Sequence, residues 1–282
     1  MGTLYVVATP IGNLSDFSPR AVETLKNSDL ILVEDTRQTI KLLNYFDIKT
    51  KMVSYHKFNE MKRTNEIIED LKNEKNISLV SDAGTPCISD PGYILVKEAR
   101  ENGINVIGIP GASAVITALS IGGLDTSSFA FYGFVPTENK SKKELFNQIK
   151  HSNIKTKVIY ESPKRIIKLL EELKTEIPGC VVSVCSELTK VHESCIYGKI
   201  EDVYQQMKEK PESLKGEYVI LISNDEVKEE KDMVSIESLI VDAVIKNNCS
   251  IKEAIEMVNK ENKDISKKEI YNASLNLKKM MK

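Results

Sequence analysis

No stretch of this 282-residue chain approaches the roughly 18 consecutive apolar residues that a membrane span needs. The opening "MGTLYVVATPIGNL" is too short and too uncharged to act as a secretory signal. Cysteine is scarce, and its five copies form an odd set without a C-x-x-C pair, which predicts neither a disulfide framework nor a zinc site. Histidine is scarcer still, with three copies, and "HESC" at His192 lacks the second histidine of a zinc-protease helix. These absences predict a reduced, cytoplasmic protein with no membrane partner and no structural metal. Also missing are G-x-G-x-x-G and G-K-S or G-K-T, so dinucleotide and nucleoside-triphosphate binding lose their usual signatures. A net charge of −2 argues against indiscriminate attraction to nucleic acid.

What is present reads as globular: 41% apolar and 28% charged residues, in a chain long enough for two ordinary domains. Through the first 120 residues, short apolar runs alternate with helical periodicity. The runs are "TLYVVA" (3–8), "LILV" (30–33), "KMVSY" (51–55), "ISLVSD" (77–82) and "INVIGI" (104–109). Between them lie helix patterns, among them "SPRAVETLKN" with Ser18 as cap and "PGYILVKEAREN" behind Asp90 as cap. This βαβα rhythm predicts a parallel-rich sheet with helices on both faces. After "GASAVITALSIGGL" three late strands come with few helices between them, which predicts a mixed sheet. The expected fold class is α/β, with an N-terminal α/β domain at 1–122 and a C-terminal one at 123–224. Beyond a charged linker at 224–233, residues 234–282 read as a helical extension, its last two helices like a helix-turn-helix.

Polar motifs gather at the carboxyl ends of the predicted strands, where open α/β sheets bind ligands. In "TPIGNLSDFSPR" (9–20), Gly12 allows close backbone approach and Pro10 stiffens the turn. "VEDTR" (33–37) carries Glu34, Asp35 and Arg37, costly to bury unpaired and therefore expected in a wet cleft. "VSDAGTPCISDPG" (80–92) far exceeds the 2–6 residues of a common strand-to-helix connection. Its Asp82 can accept from an amine or a ribose hydroxyl. "IPGASAVITA" (109–118) sets Ser113 and Ala114 at a helix start whose free N–H groups face the same crevice. In the second block, "YESPKR" (160–165) holds Lys164 and Arg165 in a first helical turn, where cations oppose the dipole unless an anion is near. "ELTKVHE" (187–193) alternates Glu187 and Thr189 against Lys190 and His192. From 139 to 168, nine Lys and Arg against two acids give a local excess of +7, enough to neutralise several phosphates.

Together, "TPIGNL", "EDTR", "SDAGTP.ISDPG", "PGASA", "GFVP", "YESPKR" and "ELTK..E" resemble the ribosomal RNA small subunit methyltransferase I family. The likeness runs from about residue 2 to 222 and keeps the family order of motifs. It implies two α/β domains of the tetrapyrrole methylase type, forming a homodimer, with S-adenosyl-L-methionine in the cleft between them. The implied reaction is 2′-O-methylation of a cytidine ribose in the decoding region of 16S rRNA, presented as rRNA or as the small ribosomal subunit. By motif, Pro10, Ser81, Asp82, Ala83, Gly84, Ile88, Ser113, Ala114, Tyr160 and Glu161 are expected around the cofactor. Glu34, Asp35, Glu161 and Glu187 stand as candidates for the base, Asp35 placed first among them, with Lys190 to stabilise a developing alkoxide. RNA phosphates are expected along Arg37, Lys142, Lys143, Lys164 and Arg165. Two rivals are a methyltransferase of the same fold for a porphyrin-like small molecule, and a non-catalytic RNA-binding regulator reading through its C-terminal helices. The first is weakened because tetrapyrrole enzymes carry a glycine-rich first loop and "GDP" where this chain has "TPIGN" and "SDA".

Overall fold

Strands covered on both faces must be apolar almost throughout, and the runs of the first block obey that rule. In the computed structural model, which describes residues 1–209, 216–224, 235–247, 249–261 and 267–280, these runs become five short strands. They are β1 (Thr3–Val7), β2 (Leu30–Val33), β3 (Met52–Ser54), β4 (Ile77–Leu79) and β5 (Asn105–Ile109), in the order β3-β2-β4-β1-β5, with every neighbouring pair parallel. Two apolar clusters sandwich the sheet. One gathers Leu4, Leu32 and Ile77 with residues of α3 (Glu60–Lys72) and α4 (Tyr93–Glu101). The other gathers Val7, Ile31 and Val33 with residues of α1 (Pro19–Lys26) and α2 (Thr36–Tyr45). Ser18 caps α1 as expected, its hydroxyl accepting from Ala21 N at 3.1 Å.

Asp90 does not cap α4. The helix opens at Tyr93 behind Gly92, which lies at φ 133° and offers no side-chain cap. The reason is tertiary: Gly92 N donates to Oε1 of buried Glu60 at 2.9 Å. A Cβ on Gly92 would also come within 2.6 Å of Leu79 Cδ2 and 2.7 Å of Cys87 Sγ. The turn is folded in against the sheet, and Asp90 is left to face elsewhere.

The second block forms β6 (Phe129–Phe134), β7 (Thr156–Glu161), β8 (Val181–Ser186), β9 (Ser194–Lys199) and β10 (Tyr218–Ser223). Their order is β6-β7-β10-β8-β9; β6 and β7 are parallel and the remaining neighbours antiparallel. One face packs on α6 (Asn139–His151), α7 (Ile166–Glu176) and α8 (Ile200–Lys208) through Ile149, Leu170, Tyr204 and Ile220. The other face receives α5 (Ala114–Ile121), whose Val115, Ala118 and Leu119 pack on Val158, Cys185 and Leu221. So α5 follows the first sheet in sequence but buries itself on the second.

Residues Met1–Val227 form one compact unit and Lys228–Lys282 another. In the second unit, α9 (Ile236–Asn247), α10 (Ile251–Glu261) and α11 (Lys267–Met280) enclose a core of Ile240, Ala254, Val258, Ile270 and Ala273. Beyond Asn224, the charged linker lies outside the described residues. Among the described residues no helix is long and apolar enough to cross a membrane.

Ile220 has no exposed surface at the centre of the second sheet. Ile220→Ala is expected to cost about 2–5 kcal/mol through lost transfer energy and a cavity, read as a lower urea midpoint. Ile116→Ala, on the exposed side of α5, should stay within about 0.5 kcal/mol of the parent.

Candidate active site

The long 80–92 segment is needed because it ties three other loops together. Thr9 and Gly84 exchange backbone hydrogen bonds of 2.8 and 3.1 Å. The Thr9 hydroxyl donates to Ser81 O at 3.1 Å, and the Ser81 hydroxyl donates to Gly84 O at 3.2 Å. Asp35 N donates to Asp82 Oδ1 at 3.1 Å, which fastens the second loop. Thr85 Oγ1 donates to Ala112 O at 3.1 Å, which fastens the fourth. Gly84 sits at φ +81°, a conformation that favours glycine, and a Cβ there would lie 3.3 Å from Ile11 Cγ2.

These loops form one wall of a cavity of about 480 Å³, within the usual size of small-molecule sites. Glu34, Asp82, Ala83, Gly84, Ile88 and Asp90 line that wall, with Ile11 and Thr85 beside them. Ser113 and Ala114, at the start of α5, line it too. The second sheet contributes Phe134, Tyr160, Leu188, Lys190 and Glu217. Tyr160 joins the walls, because it packs with Ala114 against the cluster that buries α5. Burial, then the charge of Asp90, pushes its phenol up to about 12. Opposite, the Lys190 side chain lies over the first loop, and a Cβ on Gly12 would meet its Cγ at 2.7 Å.

Backbone strain gathers at two of the lining loops. Six described non-glycine residues have positive φ, and four of them are Cys87, Ser89, Glu187 and Thr189. Each such residue costs on the order of 1–3 kcal/mol and persists where the surroundings impose it.

The cavity is acidic. Burial, then the charge of Asp82, raises the Glu34 carboxyl. Burial also raises Asp82, against the opposing hydrogen bond from Asp35 N. Asp90 is pushed up to about 7 by burial and then by the charge of Glu34. Lys190 is the one cation among the described lining residues, and its Nζ is 2.9 Å from Glu187 Oε1. Such a site favours a guest carrying positive charge and disfavours a phosphate.

Several residues expected here lie elsewhere. Pro10 sits beside the lining Ile11, and Ser81 is a buried brace behind the wall. Asp35 caps α2 and pairs with exposed Arg37 at 2.6 Å, whose hydrogen bonds hold its carboxyl down at about 2. Glu161 is only 2% exposed, and it accepts from Ser162 N at 2.6 Å and Arg165 Nε at 2.7 Å. Arg165 also donates to Val135 O at 3.0 Å, so its charge is turned inward. Lys142 pairs with Glu172 at 2.7 Å, while Lys143 and Lys164 remain exposed. Lys157, one of the nine cations of the +7 segment, is 1% exposed within β7. Sequence reasoning missed Ile11, Thr85, Asp90, Leu188 and Glu217 as lining residues. Asp90 carried a signal, an acid in a polar loop, but its position before Pro91 gave it a competing role as a cap.

Residues 3–204 match the family model described as Tetrapyrrole (Corrin/Porphyrin) Methylases, the class that the parallel sheet, the mixed sheet and the cleft where their loops meet define. Two solved structures share this architecture. A diphthine synthase aligns with a TM-score of 0.63 at 14% identity, covering 79% of this chain and 90% of its own. A uroporphyrin-III C-methyl transferase from Thermus thermophilus, complexed with S-adenyl homocysteine, aligns with a TM-score of 0.53 at 15% identity, covering 79% and 97%. The Ribosomal RNA small subunit methyltransferase I of Halalkalibacterium halodurans is 44% identical over 275 residues, 96% of this chain and 94% of that relative. The chain belongs to the ribosomal RNA small subunit methyltransferase I family. S-adenosyl-L-methionine, the methyl donor of such enzymes, suits the residues present. The carboxyls of Asp82 and Asp90 can answer its positive charge, and Ile11, Ile88 and Leu188 offer apolar surface to an adenine.

Asp90 keeps its proton in the folded chain up to about pH 7, against a reference value of 3.8. Its contribution to stability is therefore complete below about pH 3.8 and is lost as pH rises through about 7. Asp90→Asn removes that loss. The variant's melting temperature should gain on the parent's from about pH 4 to about pH 7 and then level; a constant difference across that range would contradict the assignment.

Proposed function

We propose that this chain methylates small-subunit ribosomal RNA, transferring the methyl group of S-adenosyl-L-methionine to the ribose 2′-oxygen of a cytidine in the decoding region of 16S rRNA. The observation that carries this reading is the acidic cavity built where the loops of both sheets meet. Curated relatives named for small-subunit rRNA support the substrate class. A porphyrin-like substrate rich in carboxylates would meet Lys190 as the one cation among the described lining residues. As the family likeness implies, the enzyme works as a cytoplasmic homodimer.

Bound S-adenosyl-L-methionine supplies a methyl group made electrophilic by its sulfonium. Asp82 and Asp90 hold its positive charge, and binding favours the ionised form of Asp90. Glu34 takes the 2′-hydroxyl proton: it lines the cavity, and its raised carboxyl lies closer to working pH than an ordinary one. Asp35 is a poor base because Arg37 holds it ionised. Glu161 is buried against Arg165 and does not line the cavity. Lys190, at the rim, stabilises the developing alkoxide. Lys143 and Lys164 offer exposed cations to RNA phosphates, so binding weakens with salt.

Incubating the chain with labelled S-adenosyl-L-methionine and small ribosomal subunits, followed by nuclease mapping, should place label on one cytidine ribose. Label on a base, or on none of the RNA, would refute the reading. Glu34→Gln should lower kcat by about 10²–10⁴-fold with cofactor affinity nearly unchanged, whereas Asp35→Asn should cost less than about tenfold. Calorimetric cofactor affinity should rise with pH through about 7 and then level, and Asp90→Asn should flatten that profile.

A further inference from the structure

The turn between β3 and α3 reads His56-Lys57-Phe58-Asn59-Glu60-Met61-Lys62-Arg63, and nothing in the cavity uses its outer face. Phe58 is 95% exposed and Met61 78%. Showing a phenyl ring to water forfeits the stabilisation that burying it would bring. The exposure is built in, because the turn is pinned from within. His56 N donates to Asn59 Oδ1 at 2.9 Å, and Asn59 Nδ2 donates to Ser54 O at 3.2 Å. Asn59 N and Glu60 N both donate to His56 O at 2.9 Å. The His56 ring meets Phe58 edge-on, with centroids 6.1 Å apart.

Two ties connect this turn to the cavity wall. Glu60 accepts from Gly92 N, two residues beyond the lining Asp90. The His56 imidazole lies near enough to the lining Glu34 to pull its carboxyl down, against the larger effect of burial. Glu60, the acid of the turn, is buried, while Lys57 and Lys62, one residue before Phe58 and four after it, are exposed. Two copies of the chain meeting symmetrically on this turn would set lysine against lysine. A single-stranded RNA suits it better, since unpaired bases stack on aromatic side chains and phosphates seek cations.

We infer that this turn is an RNA-contact element: Phe58 stacks on an unpaired base next to the target nucleotide, and Lys57 and Lys62 take the flanking phosphates. The inference rests on the RNA-substrate reading above and sharpens it. It adds a contact on the first sheet's side of the cavity, whereas the cation-rich 139–168 segment lies on the second sheet's side.

The test uses the full chain with small ribosomal subunits from cells lacking this enzyme, as methyl acceptor and binding partner. Phe58→Ala and Phe58→Leu should each raise KM and Kd for the subunit by about 5- to 150-fold, and Phe58→Trp should restore them. Replacing Lys57 and Lys62 together by Ala should lower the slope of log affinity against log salt by about 2. Cofactor affinity and sedimentation should match wild type in every variant. A Phe58→Ala enzyme within about twofold of wild-type KM and Kd would overturn the inference. So would full rescue by Leu, which means apolar docking without stacking, or a shifted sedimentation coefficient, which means an interface between copies. If the wild-type chain methylates no rRNA, the underlying reading fails instead, and that result shows before any variant is compared.

Discussion

Thr9 and Gly84 exchange two backbone hydrogen bonds across the carboxyl edge of the first sheet, and the positions of the other loops follow from them. β1 and β4 are neighbours, so the loops beyond them leave the sheet side by side. The exchange turns that proximity into a fixed distance. It needs a residue at φ +81° with nothing in place of Cβ, which glycine provides. Once Gly84 is placed, Thr85 reaches Ala112, and Ala112 leads into α5. Because α5 is buried on the second sheet, the contacts that assemble the cofactor wall also fix where the second wall stands.

Charge is distributed unevenly between the cavity and its surroundings. Around the site, acids are paired at short range, Asp35 with Arg37 and Glu161 with Arg165, and at its rim Glu187 pairs with Lys190. Within it, burial raises Glu34, Asp82 and Asp90, the charge of Asp82 adds to Glu34 and that of Glu34 to Asp90, and no free cation among the described lining residues answers them. Such an arrangement lowers the stability of the empty fold. It is the pattern expected where binding a cationic guest supplies the missing partner.

The parallel sheet was legible in the sequence because strands buried on both faces appear as unbroken apolar runs, and "LILV" and "TLYVVA" are such runs. The mixed sheet was legible because three late strands arrive with too few helices for parallel crossovers. The loops were legible because their polar residues follow those strands directly. Pairing was not legible, since it depends on contacts distant in sequence: Lys142 meets Glu172, and Arg165 reaches Val135 O. Counting charges treats each as surface, which overstated the basic segment. Asp90 obeyed every local rule for a helix cap. What displaced it was Glu60, thirty-two residues upstream of the Gly92 N–H it accepts from.

The placement of α5 separates what is fixed in the site from what can vary. Its inner face packs on Val158 and Leu221, Tyr160 packs beside Ala114 at its start, and the loop before it is fastened to Thr85. The base of the cavity therefore cannot change without dislodging a helix, and a base of this kind suits a cofactor that is the same for every substrate. The rim is different. It is made by residues 187–190 and 216–217, which are connections between elements and carry part of the backbone strain. Loops tolerate replacement where packed helices do not. A methylase of this architecture can thus keep its donor site while the rim decides whether the acceptor is a small molecule that enters or a polynucleotide that drapes across, and the lysines and the phenyl ring beside this cavity fit the second.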